Sequence, residues 1–228
     1  MQTSLLKQCV AEFIGTFALI FIGIGAIYHF APVPGGLLGI AFAHGLTIAV
    51  MVAATAGISG GHLNPAVTFE LLIGGKISCK NSVAYWIAQI LGGTIAAFAA
   101  GALCAYGDVK ATDVIIGGTP SAGKNVAALS GMLIEAVLTF FLAFVVYGAA
   151  VDSRAGYLGP LMIGLTVTLD ILFGGPFTGA AMNVARWLGP AIAAGHIPAA
   201  GILVYVVGPL LGGGLAGLVY GRFLIKQP

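Results

Sequence analysis

The stretch FTGAAMNVARWLGPAI at residues 177–192 sets an amide, Asn183, and a permanent cation, Arg186, in a run of small and apolar residues. An earlier stretch, SGGHLNPAVTF at 59–69, has the same cadence, with Pro65 where the later one has Val184. GLT at 45–47 returns at 164–166, and Asn64 returns as Asn183, both pairs offset by 119 positions. YWIAQILGG (85–93) answers VYVVGPLLGG (204–213), and AEFIGTF (11–17) more loosely answers IEAVLTF (134–140). The chain is a tandem repeat.

Its solvent is lipid. Of 228 residues, 59% are hydrophobic and 7% charged, with a mean hydropathy of +1.07, so too few polar side chains exist to cover a water-soluble globule. A spanning helix needs about 20 mostly apolar residues, and six stretches qualify: 8–30, 36–57, 81–105, 129–150, 157–175 and 199–223. A barrel is excluded, because its strands alternate apolar and polar residues and these runs are apolar on every side. Glu12 interrupts the first run early and no small-residue cleavage site follows it, so 8–30 is expected to be a retained span and not a signal peptide. Cys9, Cys79 and Cys104 have neither disulfide nor metal-ligand spacing. No metal or cofactor is expected.

Two apolar pieces remain, 64–74 and 183–194, each opening on asparagine. A helix of ~11 residues is only about 16 Å long and cannot cross a bilayer. Each copy therefore holds three spans and a half-helix, and an odd number of spans inserts the second copy upside down. Inverted repeats with broken helices bring the broken ends to the bilayer midplane. There Asn64 and Asn183 are expected to cap the two half-helices through their side-chain oxygens, leaving each NH₂ free to donate inward. Pro65 suits the first helical position; Val184 costs only stiffness. Gly60, Gly61 and Gly179 suit unwound backbone, and Gly208/Gly212, Gly213/Gly217 and Gly93/Ala97 allow close helix crossing. Lys7, Lys76, Lys80, Arg154, Arg222 and Lys226 fall on the side of both termini, and Lys110 and Lys124 on the other, which predicts cytoplasmic termini.

The boxes SGGHLNPAVTF and TGAAMNVARWLG, with the duplicated Glu12 and Glu135, resemble the two signature loops of the aquaporin, or major intrinsic protein, family, and the resemblance covers the whole chain. It implies an all-α integral membrane fold: six transmembrane helices plus two re-entrant half-helices, an inverted repeat and a right-handed bundle. It also implies a single channel domain, 1–228, with repeats of about 1–110 and 125–228, assembled as a homotetramer. By the same resemblance, Asn64 and Asn183 orient solute at the centre. His44, Ile171, Ala180 and Arg186 form the selectivity filter. Carbonyls of Gly60, Gly61, His62, Leu63, Gly179, Ala180, Ala181 and Met182 line one side, Ile48 and Val167 form the apolar wall, and Glu12 and Glu135 accept hydrogen bonds from the loops. The filter set is similar to that of plant vacuolar intrinsic proteins, which pass water and often ammonia, urea or peroxide. Glycerol-facilitating relatives carry Asp after the arginine and a cation four residues later; here stand Trp187 and Ala191.

The expected function is a passive channel for water and small neutral solutes (ammonia, urea, peroxide, glycerol) that excludes ions and protons. Competing readings are an ion-coupled secondary transporter and a non-conducting membrane-junction protein on the same fold. No nucleophile, base and oxyanion donors occur together, so no enzyme is expected, and no nucleic-acid partner. Short termini and compact connections suggest a microbial cell membrane. Residue by residue, Arg186 has a plain alternative, a lock to a carboxylate, and His44 has another, a satisfied structural histidine. His62 braces its loop through the ring. Asp170, next to Ile171, either reaches interfacial water or bears on His44 or a subunit contact. Asp108, Lys110, Asp113 and Lys124 belong to a solvated connection, and the lumen offers amides and no carboxylate.

Overall fold

The computed structural model describes residues 3–154 and 156–225; Lys226 lies outside them. Among the described residues nine helical elements follow in order: α1 Leu5–Phe30, α2 Gly36–Ser59, α3 Pro65–Ile73, α4 Cys79–Cys104, α5 Ala111–Gly118, α6 Ala128–Val151, α7 Gly159–Thr178, α8 Val184–Ala193 and α9 Ala199–Leu224. Six of them, all but α3, α5 and α8, are long and apolar enough to cross a bilayer. The ends of α6 and α9 finish in wider turns, where Asp152 N–H reaches Tyr147 O and Ile225 N–H reaches Tyr220 O. No strand occurs among the described residues, and the three cysteines are free.

The repeat is visible in the packing. α1 pairs with α4 and α6 with α9, while α2 and α7 pair across the copies. The duplicated glycine pair carries these contacts. A Cβ on Gly92 would stand 2.5 Å from Phe13 O of α1, and one on Gly212 would collide with Ala136 O of α6, so the first glycine of each pair seats its own copy's opening helix. The second glycine seats the other copy's half-helix: a Cβ on Gly93 would lie 2.9 Å from Ala185 O, and one on Gly213 2.9 Å from Ala66 O. Thus α8 rests on α4, and α3 on α9. The half-helices are crossed over.

One expectation needs correction. The connection 105–127 is more than a solvated link, because Ala111–Gly118 forms α5 with Val114 and Ile115 buried. Asp108, Lys110, Asp113 and Lys124 are exposed on it, and Asp113 Oδ2 accepts weakly from Lys110 N–H at 3.4 Å. Two buried apolar side chains tie this short helix to the bundle where a purely polar loop would float. Elsewhere, Arg222 caps the C-terminus of α3, its Nε and Nη2 donating to Ile73 O at 2.9 and 2.7 Å. Nearby, Arg154 forms an ion pair with Asp152, whose carboxyl is held below the usual aspartate range by the guanidinium bonds.

Candidate functional site

The two asparagine loops are built from matching parts. Gly60 and Gly179 end α2 and α7 in the left-handed region, at φ 91° and 77°. Two residues that are not glycine, Leu63 and Met182, hold φ 51° and 50° just before the asparagines, a strained setting that costs about 1–3 kcal/mol each and persists only when over-determined by its surroundings. The surroundings supply that. Glu12 Oε1 accepts from Ser59 Oγ (2.6 Å) and His62 N (2.9 Å), and its Oε2 accepts from Leu63 N (2.6 Å). Glu135 Oε1 accepts from Thr178 Oγ1 (2.6 Å) and Ala181 N (2.9 Å), and its Oε2 from Met182 N (2.7 Å). Tyr85 donates to Ser59 O and Tyr205 to Thr178 O, both at 2.8 Å. Buried backbone N–H groups that would otherwise lack acceptors are thereby satisfied.

Both half-helices begin as their sequences dictate. Asn64 Oδ1 accepts from Ala66 N at 2.8 Å, and Asn183 Oδ1 from Ala185 N at 2.9 Å and Arg186 N at 3.3 Å. The amide groups are less free than the sequence suggests. Asn64 Nδ2 donates to Met182 O and Asn183 Nδ2 to Leu63 O, each at 2.9 Å, so one hydrogen of each NH₂ ties a loop to its mate and one remains.

Arg186 lies on the first turn of α8 and is 3% exposed. It makes no ion pair among the described residues; its Nη1 donates to Gly118 O at 2.8 Å and its Nε to His44 Nε2 at 3.2 Å. Because Ile40 O can only accept, the 2.8 Å contact to His44 Nδ1 puts the ring proton on Nδ1, and Nε2 presents a lone pair to the arginine. The rest of the guanidinium fork has no partner among the described residues. His44, Ile171, Ala180, Arg186 and both asparagines border one constricted space of about 30 Å³, room for little more than a single water. Through Asn64, Ile48 and Val167 it adjoins a vestibule of about 460 Å³ that Gly60, Gly61 and His62 also line. Ala181 and Met182 border the constriction. Leu63 and Gly179 line neither space; the Leu63 carbonyl is engaged by Asn183, and Gly179 turns toward Pro120.

His62 braces its loop, with Nδ1 3.1 Å from Thr68 Oγ1 and its ring edge-on to Tyr85. Trp187 stacks on Tyr205, centroids 5.4 Å apart. Asp170 is 6% exposed, and its Oδ2 has no hydrogen-bond partner among the described residues; it lines neither space. Sequence reasoning missed three things. Gly118 acts through a backbone carbonyl that side-chain patterns do not reveal. Gln89, an amide in an apolar helix, donates to Glu12 Oε2 at 2.8 Å and to Thr68 Oγ1 at 3.0 Å. Glu70, an acid inside a piece read as apolar, is fully buried in α3 with neither carboxyl oxygen partnered among the described residues. It does not line either space, so among the described residues these spaces offer no carboxylate.

The family model described as Major intrinsic protein matches residues 1–220. Aquaporin TIP2-1 of Zea mays is 45% identical over 230 residues, covering 96% of this chain and 88% of that protein. Aquaporin TIP2-1 of Arabidopsis thaliana is 45% identical, covering 95% and 87%. The X-ray structure of the aquaglyceroporin from Plasmodium falciparum shares the fold, with a TM-score of 0.85, 24% identity and 97% coverage of both chains. With its duplicated asparagine loops, crossed half-helices and near full-length match, the chain belongs to the major intrinsic protein family.

Proposed function

We propose that this multi-pass membrane protein is a passive channel for water and small neutral solutes that excludes ions and protons. The observation that carries this reading is the meeting of two half-helix N-termini, capped by Asn64 and Asn183 and tied together through Met182 O and Leu63 O. Each N-terminus presents roughly half a positive charge. A cation at that point faces repulsion while losing its hydration shell, with no lumenal carboxylate to offset it; a neutral molecule is spared both. The remaining amide hydrogens hold a water oxygen and turn its hydrogens outward, which interrupts a proton-conducting chain. The relatives from Zea mays and Arabidopsis thaliana are aquaporins, which supports this reading.

Selectivity belongs to His44, Ile171, Ala180 and Arg186. Ile171 supplies an apolar wall and Ala180 little bulk, so the filter admits ammonia, urea or peroxide beside water. Carbonyls of Gly60, Gly61, His62, Ala180, Ala181 and Met182 face Ile48 and Val167 and replace part of water's hydrogen bonding without holding it. The chain is one domain, 1–228, of two inverted repeats, about 1–110 and 125–228. It works as a channel and not as an enzyme, as a homotetramer in the cell membrane with both termini cytoplasmic.

The test is one proteoliposome preparation assayed for water, glycerol, urea and ammonia permeability by stopped flow. Shrinkage no faster than in empty vesicles favours the junction protein, and saturable, gradient-coupled uptake favours the transporter. Arg186→Val should raise proton or urea passage severalfold; unchanged exclusion of both removes Arg186 from the filter.

A further inference from the structure

Gly23 is buried in the second half of α1, and the His44 ring occupies the space its missing side chain would take. A Cβ on Gly23 would stand 2.4 Å from His44 Nε2, 3.0 Å from Cδ2 and 3.1 Å from Cε1. Real Cβ atoms essentially never come within 3.0 Å, so at 2.4 Å a side chain there forces a shift between α1 and the ring. The ring has little freedom to yield. Its Nδ1 is tied to Ile40 O at 2.8 Å, and the atom that Gly23 would strike, Nε2, is the one that receives Arg186 Nε. The open direction is the constriction of about 30 Å³ that His44 borders.

We propose that Gly23 is a positioning residue for the filter: by presenting no side chain, α1 lets the His44 imidazole stand back from the lumen while holding Arg186, and so sets the balance between water and bulkier neutral solutes. The proposal rests on the channel reading. Gly25, two residues on, has open space where its Cβ would be and serves as the control on the same helix.

The experiment compares water and urea permeability per folded protein in proteoliposomes of the full chain for wild type, Gly23→Ala, Gly25→Ala, His44→Ala and the Gly23→Ala/His44→Ala pair. Gly23→Ala should lower water permeability roughly tenfold, equivalent to about 1.4 kcal/mol on the barrier, and urea permeability further, so the urea-to-water ratio falls. Gly25→Ala should match wild type. With the ring gone the added methyl has nothing to push, so the pair should match His44→Ala alone, a complete loss of additivity. An equal loss from Gly23→Ala in both backgrounds, or an unchanged ratio, overturns the proposal. If Gly23→Ala does not fold alone, rescue of folding by His44→Ala supports it, and absence of rescue overturns it. A wild type that conducts no water defeats the channel reading itself, a result distinct from any of these.

Discussion

The two asparagine loops share a plan and differ in reserves. The first has Glu12, Ser59 and Tyr85, and behind them Gln89, which donates to both Glu12 and Thr68, while Thr68 also meets His62. The second has Glu135, Thr178 and Tyr205; Pro209 takes the place of Gln89, Ala181 that of His62 and Trp187 that of Thr68. The first loop is over-braced; the second has Glu135, Thr178 and Tyr205 with no polar side chain behind them in those three places. What the second copy gives up in polar bracing it spends on the filter, since Arg186 and Ala180 occur only there and Trp187 packs under Tyr205.

The sharpest way to break this contrast is to neutralise each glutamate. Glu135→Gln turns an amide hydrogen on Met182 N–H or Ala181 N–H with no nearby group to compensate, and a buried donor left unsatisfied costs about 1–3 kcal/mol. It should lower the unfolding midpoint of the purified protein by several degrees and reduce water permeability. Glu12→Gln should do less: Leu63 N–H or His62 N–H loses its acceptor in the same way, but Gln89 Oε1 has no partner among the described residues and a turned Gln89 amide can accept from the new NH₂. Equal effects in thermal unfolding would erase the contrast. Next in size, Gln89→Leu makes the first loop resemble the second; we expect a loss of about 1 kcal/mol in stability, the worth of one buried hydrogen bond or two shared ones, with water permeability within twofold of wild type. Smallest is Val184→Pro, which makes the second half-helix start like the first. The asparagine cap does not use the residue 184 N–H, so water flow should stay within a few-fold and thermal stability rise by a few tenths of a kcal/mol to about one; complete loss of flow would mean that Val184 has a role of its own.

Most of the architecture is readable from the chain because it is written twice. Each of the six spans, expected at 8–30, 36–57, 81–105, 129–150, 157–175 and 199–223, falls within three residues of its helix, and both half-helices begin one residue after their asparagines. What escapes the sequence acts through backbone or through absence. Gly118 contributes a carbonyl, Met182 and Leu63 accept from the opposite asparagine, and Gly23 matters for an atom it lacks. α5 escapes because eight residues with two buried side chains are too few to set up a period against polar neighbours. Glu70 was legible as a carboxyl in an apolar piece; its lack of partners was not.

The crossed seating of the half-helices has a consequence for how the protein comes to exist. α3, capped by Asn64, leans on Gly213 of α9. During synthesis the first loop must wait from Asn64 until Gly213 is made for its support to arrive, and the first copy leaves the ribosome as an unfinished half. The first loop gains its seat only when α9 arrives; the loop with the most internal bracing is the one that has to wait longest.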